Sequence, residues 1–328
     1  MSKKFLEVRG LKKYFEAGRP SFFAKDPRNV HAVDGVDFTL RRSEVIALVG
    51  ESGCGKSTLA LLLMGLENPT AGSIKFEGMD ITHLSDGERK SNDLRRKIQM
   101  VFQDPYESLN PTQTIEEIVT EPLLVHGMMN TPDRDERVQK AMEDAGLKPA
   151  DVYLRRYPHE LSGGQRQRVV IAAALVLEPE LILADEPVSM LDVSIRAEVI
   201  NLLAELRIKR QIAVIFITHD LGSVGFFADR VAVMYLGRIV EIGSMLEVLE
   251  NPKHPYTKAL ISVIPVPNPR LRHERIILQG ETPNPINIPS GCRFHPRCPV
   301  AIASCALSDP PMLSLNKSHQ AACLLLVK

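Results

Sequence analysis

Glycine, lysine and hydroxyl side chains are packed together in Gly50-Glu51-Ser52-Gly53-Cys54-Gly55-Lys56-Ser57-Thr58, at the spacing G-x-x-x-x-G-K-[ST]. Such a loop binds phosphate. Bare glycines let backbone N–H groups approach the oxygens, and a helix N-terminus behind them favours the anion. Lys56 is predicted to reach the β- and γ-phosphates of a nucleoside triphosphate, and the Ser57 hydroxyl to hold Mg²⁺. Gly50, Ser52, Gly53, Cys54, Gly55 and Thr58 complete the candidate contacts. A chance glycine-rich turn would need no particular flanks. Here the apolar run Val45–Val49 precedes the loop and the helix former Thr58–Met64 follows it, as the chemistry requires.

A second candidate anion site lies about a hundred residues on. Leu161-Ser162-Gly163-Gly164-Gln165 leads into the helical run Val169–Leu175. Ser162 is a good N-cap, and the two glycines leave bare backbone at a helix start. Three further apolar runs end in polar side chains. Ile98–Phe102 ends at Gln103, Leu181–Ala184 at Asp185 and Glu186, and Ile215–Thr218 at His219. In parallel α/β sheets ligands bind outside the carboxyl ends of the strands. A lone glutamate after a strand, or a lone histidine before an aspartate, reads better as a surface or capping group. Their joint placement after apolar strands favours a site.

The elements that must position these groups are legible in outline. Phe5–Val8 and Val36–Leu40 alternate as strands, and residues 5–103 read as strands around the phosphate loop. Residues 16–29 read as a surface loop. Residues 104–168 lack strand signals, and Ile115–Val125, Asp133–Ala145 and Ala150–Arg156 read as helices. From 169 to about 248 helices alternate with apolar strands such as Val231–Met234. There is no internal repeat.

Composition sets limits. Lys+Arg and Asp+Glu are 40 each, so the formal net charge is zero, where a nucleic-acid binder would carry a basic excess. No apolar run approaches the roughly 18 residues of a membrane span, and Met1-Ser2-Lys3-Lys4 does not open a secretory signal. A cytosolic protein is the expectation.

The motif set resembles the ATP-binding subunits of ABC transporters. Leu161–Gln165 matches the family signature, Gln103 the Q-loop, Leu181–Asp185 Walker B, Ser189–Asp192 the D-loop and His219 the switch histidine. The resemblance implies an α/β P-loop NTPase fold, an ABC-type ATPase core with an inserted helical subdomain (about 104–168). It assigns 1–250 to the ATP-binding domain and 251–328 to a small C-terminal extension. ATP and Mg²⁺ are the implied cofactors. Glu186 would polarise the attacking water and His219 orient it. Ser57, Gln103 and Asp185 would serve Mg²⁺. Ser162, Gly163, Gly164, Gln165 and Asp192 would act at the interface between two ATPase subunits. An aromatic residue should stack on adenine, with Tyr14 the candidate and Phe15 the alternative. Met190 departs from the commoner alanine of the D-loop.

The end of the chain narrows the resemblance. Asn251–Leu260 (NPKHPYTKAL), Gly280–Pro285 and Gly291–Pro299, with Phe102–Pro111, are similar to oligopeptide and dipeptide importers, nearest the F-type partner of two ATPases. The implied partners are a second ATPase subunit, as heterodimer or homodimer, two multi-span permease subunits, and an extracytoplasmic substrate-binding protein. The implied place is the cytoplasmic face of the membrane, peripherally bound. Glutathione, nickel complexes and oligosaccharides use close relatives, so the cargo stays open. A soluble ABC ATPase on ribosomes or DNA is disfavoured by the single ATP-binding domain and the neutral charge. A degenerate, non-hydrolysing subunit is disfavoured by intact Lys56, Asp185, Glu186 and His219.

Of five cysteines, Cys54 sits in the phosphate loop as a small passive residue. Cys292, Cys298, Cys305 and Cys323 cluster in the extension with 5, 6 and 17 residues between them. That is not the C-x₂-C of zinc ribbons, and a cytosolic protein disfavours structural disulfides. Four thiols permit an iron–sulfur cluster, zinc (with His295 or His319) or free thiols. The resemblance implies a [4Fe–4S] cluster. The thiols fall away from the ATP motifs in sequence, and since ATP hydrolysis transfers no electron they read as structural, fastening 280–328 into a compact knob.

Overall fold

Alternation near the start of the chain builds an antiparallel sheet. In the computed structural model, which describes residues 4–17, 28–128, 133–264 and 275–327, Leu6–Glu16 forms β1 and Asn29–Leu40 forms β2. Their register runs from Leu6↔Leu40 to Glu16↔Asn29. Both strands outrun the segments that alternate, because each ladder satisfies the other's backbone groups where the side-chain pattern fades. Glu16 and Asn29 are thus strand residues rather than loop, and 18–27 lie outside the described residues. Ala71–Phe76 (β4, named after the intervening β3, Val45–Val49) pairs with β1, and Met79–Asp80 (β5) pairs with β4.

Residues 5–103 are not all strand and loop. Asp86–Ser91 and Leu94–Lys97 are helices. The sequence carried a sign of the first. Ser85 and Glu88 form a reciprocal capping box, the Ser85 hydroxyl accepting from the Glu88 N–H and the Glu88 carboxylate from the Ser85 N–H.

The described residues group into two compact units. Met1–Arg41, Val45–His83 and Thr218–Lys328 make one; Arg42–Glu44 and Leu84–Ile217 make the other. In the second, Ile98–Val101 (β6), Leu181–Asp185 (β7) and Ala213–Thr218 (β8) run parallel in that order. Their apolar residues are nearly all buried, which is why these strands read as continuous rather than alternating runs. Among the described residues 104–168 no strand forms. Ile115–Val125 and Arg134–Asp144 are helices, and a short one covers Asp151–Leu154. Ile115, Ile118, Val119 and Leu123 are the buried stripe of the first, and Thr114 with Glu117 caps it. Such a cap stabilises by roughly 1 kcal/mol.

In the first unit β3 pairs in parallel with Arg230–Tyr235 (β9), which turns back into Arg238–Ser244 (β10). Two short strands of the extension, Leu313–Ser314 (β11) and Gln320–Ala321 (β12), continue the sheet beyond β10. The extension is therefore stitched into the sheet that carries the phosphate loop. Glu241 of β10 is fully buried. Its carboxylate accepts from the N–H groups of Lys253 (2.7 Å) and His254 (2.8 Å) and from Nε2–H of buried His319 (2.7 Å). A buried charge is tolerable only when paired and hydrogen-bonded in this way. Phe294, buried among Tyr235, Tyr256 and His254, adds an aromatic cluster worth roughly 1.5–3 kcal/mol for that side chain.

Replacing Glu241 by alanine leaves three donors unanswered, two of them in buried bonds. Urea unfolding of Glu241→Ala should show a loss of about 3 kcal/mol or more, with proteolysis opening the chain first after residue 250. Stability within 1 kcal/mol of wild type, roughly the level of an exposed pair, would remove Glu241 from this role.

Candidate functional site

The phosphate loop folds over backbone with no space to spare. Gly50 follows β3, and a Cβ there would collide with the carbonyl oxygen of Met234. Gly55 has φ 104°, and a Cβ there would strike the Ala32 carbonyl of β2. Only glycine meets either demand. Lys56 is buried, and its ammonium donates to the carbonyls of Gly50 (2.8 Å) and Glu51 (3.0 Å), curling the loop. Cys54 is buried beneath it, where desolvation raises the thiol pKa. Ser52, Gly53 and Ser57 are exposed, and Thr58 is half-buried. The helix Lys56–Met64 begins at Gly55, so its N–H groups face the loop.

Tyr14 lies on β1 opposite His31 of β2, ring centroids 4.2 Å apart. Its hydroxyl donates to Asp34 at 2.5 Å. Burial, then this bond to a carboxylate, raises its pKa. Phe15 lies under the Lys13 ammonium, 4.7 Å from the ring centroid. Tyr14 and Gly55 both lie against β2, at His31 and Ala32. His219 follows β8 and is exposed, and Asp220 beside it caps the next turn through the Gly222 N–H.

In the second unit the strand ends bring the candidates to one edge. Val101↔Ala184 and Asp185↔Ile217 are in register, so Gln103, Asp185 and Glu186 emerge where β6 and β7 finish. Glu186 has φ 46°, a left-handed backbone unusual for glutamate. Hydrogen bonds hold it there. Its N–H donates to Ile217 O (3.0 Å), and its carbonyl accepts from the Ser189 N–H (3.1 Å) and hydroxyl (3.0 Å). Strain of this kind gathers at functional sites. Ser162 and Gln165 form a capping box, with the Ser162 hydroxyl accepting from Gln165 N–H at 3.3 Å and the Gln165 side chain from Ser162 N–H at 3.0 Å. The helix Gly163–Leu175 therefore starts six residues earlier than its apolar run. Gly164 needs to be glycine for packing, since a Cβ would meet Ile195 of the helix Val193–Arg210. Asp192 opens that helix and is exposed, as is Met190.

All four cysteines of the extension are free thiols, with Cys305 and Cys323 buried. Burial, and then Cys305, Cys323 and Cys298, push the Cys292 thiol up to about 11. Cys298 and Cys323 are raised by burial and by neighbouring thiols in turn. Among the described residues no group of three or more His, Cys, Asp or Glu side chains is placed so that it could hold a metal ion.

The ABC transporter family model matches residues 33–189, and the model of the oligopeptide/dipeptide transporter C-terminal region matches 240–305. An oligopeptide transport ATP-binding protein of Bacillus subtilis is 49% identical over 97% of this chain and 96% of its own length. A dipeptide transport ATP-binding protein of Haemophilus influenzae is 48% identical over 97% of this chain and 95% of its own. The chain belongs to the ABC transporter family. Within it, these full-length relatives place it with the oligopeptide/dipeptide transport ATP-binding proteins. An ATP-binding cassette solved as a dimer in a post-hydrolysis state with ADP and Pi superimposes with TM-score 0.63, at 29% identity over 73% of this chain and 98% of that one. A cassette from Clostridium perfringens gives TM-score 0.64, at 30% identity over 76% and 92%. The fold is the ABC-type α/β ATPase, and the family's activity is ATP hydrolysis coupled to transport.

What the motifs did not disclose is the reach of the extension into this ATPase. Arg297 pairs with Glu51, the second residue of the phosphate loop, at 2.7 and 3.1 Å. The Thr282 hydroxyl donates to the same carboxylate at 2.6 Å, and the Tyr256 hydroxyl accepts from the Glu51 N–H at 2.9 Å. The extension is not a knob apart from the ATP motifs. One signal was available, for an acidic residue inside a loop built for anions calls for a nearby cation.

Adding one methyl at Gly50 tests the close approach. Gly50→Ala must push the loop from Met234, and misplacement near 1 Å can cost on the order of 10²-fold in function. Calorimetry should find MgADP binding weakened at least tenfold. Wild-type affinity would mean that the loop has slack the packing denies.

Proposed function

We propose that this chain is the ATP-hydrolysing subunit of an importer for oligopeptides or dipeptides. The observation that carries the reading is similarity along nearly the whole chain, extension included, to proteins named for peptide transport. An ATPase alone would need only the cassette; the peptide-transporter C-terminal region goes further.

The site residues take these roles. The phosphate loop, with Lys56, binds the β- and γ-phosphates, and Ser57, Gln103 and Asp185 serve Mg²⁺. Glu186 polarises the attacking water, and its pinned backbone supports that fixed task. His219 orients the water and answers charge growing on the γ-phosphate. Phosphoryl transfer asks mainly for such positioning and charge stabilisation. Tyr14 stacks on adenine from an orientation its bond to Asp34 fixes. Ser162, Gly163, Gly164, Gln165 and Asp192 act across a subunit interface on the nucleotide of a second ATPase, most simply a heterodimer partner.

No helix among the described residues is long and apolar enough to cross a membrane. Two permease subunits supply the path, an extracytoplasmic binding protein supplies the cargo, and this subunit sits on the cytoplasmic face. Exposed Phe102 and Val125 line a cleft of about 350 Å³ beside the Q-loop, an apolar surface that supports docking to membrane subunits. Residues 1–250 then form the ATP-binding domain and 251–328 its extension.

The four clustered thiols fit a [4Fe–4S] cluster in donor type and number. Cys292, Cys298, Cys305 and Cys323 would hold it, and it would brace the extension without electron transfer. Their grouping within one stretch of the extension supports this.

Glu186→Gln in the assembled complex should bind ATP and lose hydrolysis by roughly 10²–10⁴-fold, with peptide uptake into vesicles lost in parallel. Hydrolysis near the wild-type rate would end the role given to Glu186. Uptake of another solute in place of peptide would replace the cargo.

Chain purified without oxygen should be brown and hold about four irons, and Cys298→Ser should bleach it. A colourless preparation with one zinc would assign the thiols to zinc, and one with neither metal would leave them as thiols.

A further inference from the structure

The loop from Cys292 to Cys298 carries two arginines, Arg293 and Arg297, and each meets a carboxylate beside a nucleotide-binding element. Arg293 is 8% exposed. It pairs with buried Asp34 and donates to the Leu236 carbonyl at 2.5 Å. Asp34 in turn receives the Tyr14 hydroxyl. Burial alone would raise the Asp34 pKa, but Tyr14 and Arg293 bring it well below the ordinary carboxylate range. Arg297 is 9% exposed and makes a bidentate pair with Glu51, under the Tyr235 ring. Burial would raise Glu51 too, and bonds from Arg297 and Thr282 overcome it.

Glu51 presents a puzzle. It is ionised, it belongs to the phosphate loop, and its immediate neighbours make the loop an anion receptor. An unpaired carboxylate there repels the phosphates it is meant to admit. We propose that Arg297, supplied from the cysteine-bearing loop of the extension, is the counter-ion that lets the phosphate loop accept nucleotide phosphates. The inference rests on the reading of that loop as the ATP site. Its pairing is bidentate and partly buried, the geometry in which arginine is distinct from lysine as a clamp but equal to it as a charge. The Arg297 guanidinium neutralises Glu51, while Tyr256 and Lys56 hold the residue's backbone N–H and carbonyl. Arg293 repeats the arrangement at the other end of the site, through Asp34 to Tyr14.

The test uses the full chain and MgADP, followed by calorimetry. Wild type should bind, and Lys56→Ala should abolish binding, which locates it at the loop. Arg297→Gln should weaken binding about tenfold. Adding Glu51→Gln to Arg297→Gln should return affinity to within about threefold of wild type, because the harm lies in the uncompensated charge. Arg297→Lys, which keeps the charge but not the fork, should bind more tightly than Arg297→Gln. Glu51→Gln alone should bind at least as tightly as wild type. That last variant carries the test if Arg297→Gln does not fold. A merely structural contact predicts otherwise, since losing either partner would weaken binding and losing both would not repair it. Wild-type affinity in folded Arg297→Gln, no rescue by Glu51→Gln, or a tenfold loss in Glu51→Gln alone would each overturn the proposal. If wild type itself does not bind MgADP, it is the reading of the loop that fails instead.

Discussion

Backbone pressed against backbone is the constraint on which the first unit depends. Gly50 and Gly55 lie where the carbonyls of Met234 and Ala32 leave no room for a side chain. The loop is shaped by β2 on one side and the β9–β10 turn on the other, more than by contacts within itself. The Gly237 N–H of that turn donates to the Cys54 carbonyl at 2.9 Å, and the Asp34 N–H donates to the Gly237 carbonyl at 2.8 Å. Small shifts in either neighbour reach the loop directly, because close-packed backbone has nowhere to yield.

The extension exploits the same economy of space. It buries a carboxylate, Glu241, and answers it three times. It buries Phe294 against Tyr235 and Tyr256, and Tyr256 then touches the Glu51 N–H. The NPKHPYTKAL segment gains a physical meaning from this. His254 caps its helix by accepting the Tyr256 N–H at 3.1 Å, Pro255 fits the first turn, and Tyr256 reaches the loop. Burial pushes the His254 pKa down to about 3, so the ring stays neutral and its acceptor nitrogen stays available at physiological pH.

Much of the machinery was legible because the chemistry is local in sequence. A phosphate loop, a capped glycine pair and an apolar strand ending in two carboxylates each occupy fewer than ten consecutive residues, and each forms as the letters require. Helix Ile115–Val125 was legible to the residue, since its cap and apolar stripe agree. What was hidden is long-range pairing. Nothing in the alternation of Phe5–Val8 fixes how far β1 extends; its partners do. Nothing near Glu51 in sequence names Arg297. The short helices at Asp86–Ser91 and Leu94–Lys97 were missed because four to six residues give no periodicity, leaving only the Ser85 cap to announce one.

The separation between Glu51 and Arg297 is 246 residues. At synthesis rates of about 5–20 residues per second, Arg297 follows Glu51 out of the ribosome by roughly 12–50 s. The backbone that shapes the loop, at Met234 and Gly237, itself emerges only about 60 residues before Arg297, roughly 3–12 s earlier at the same rates. For those last seconds the loop has its packing but neither the counter-charge of Arg297 nor the aromatic floor of Phe294. The order of the chain thus leaves the partner of Glu51 among the last parts to arrive.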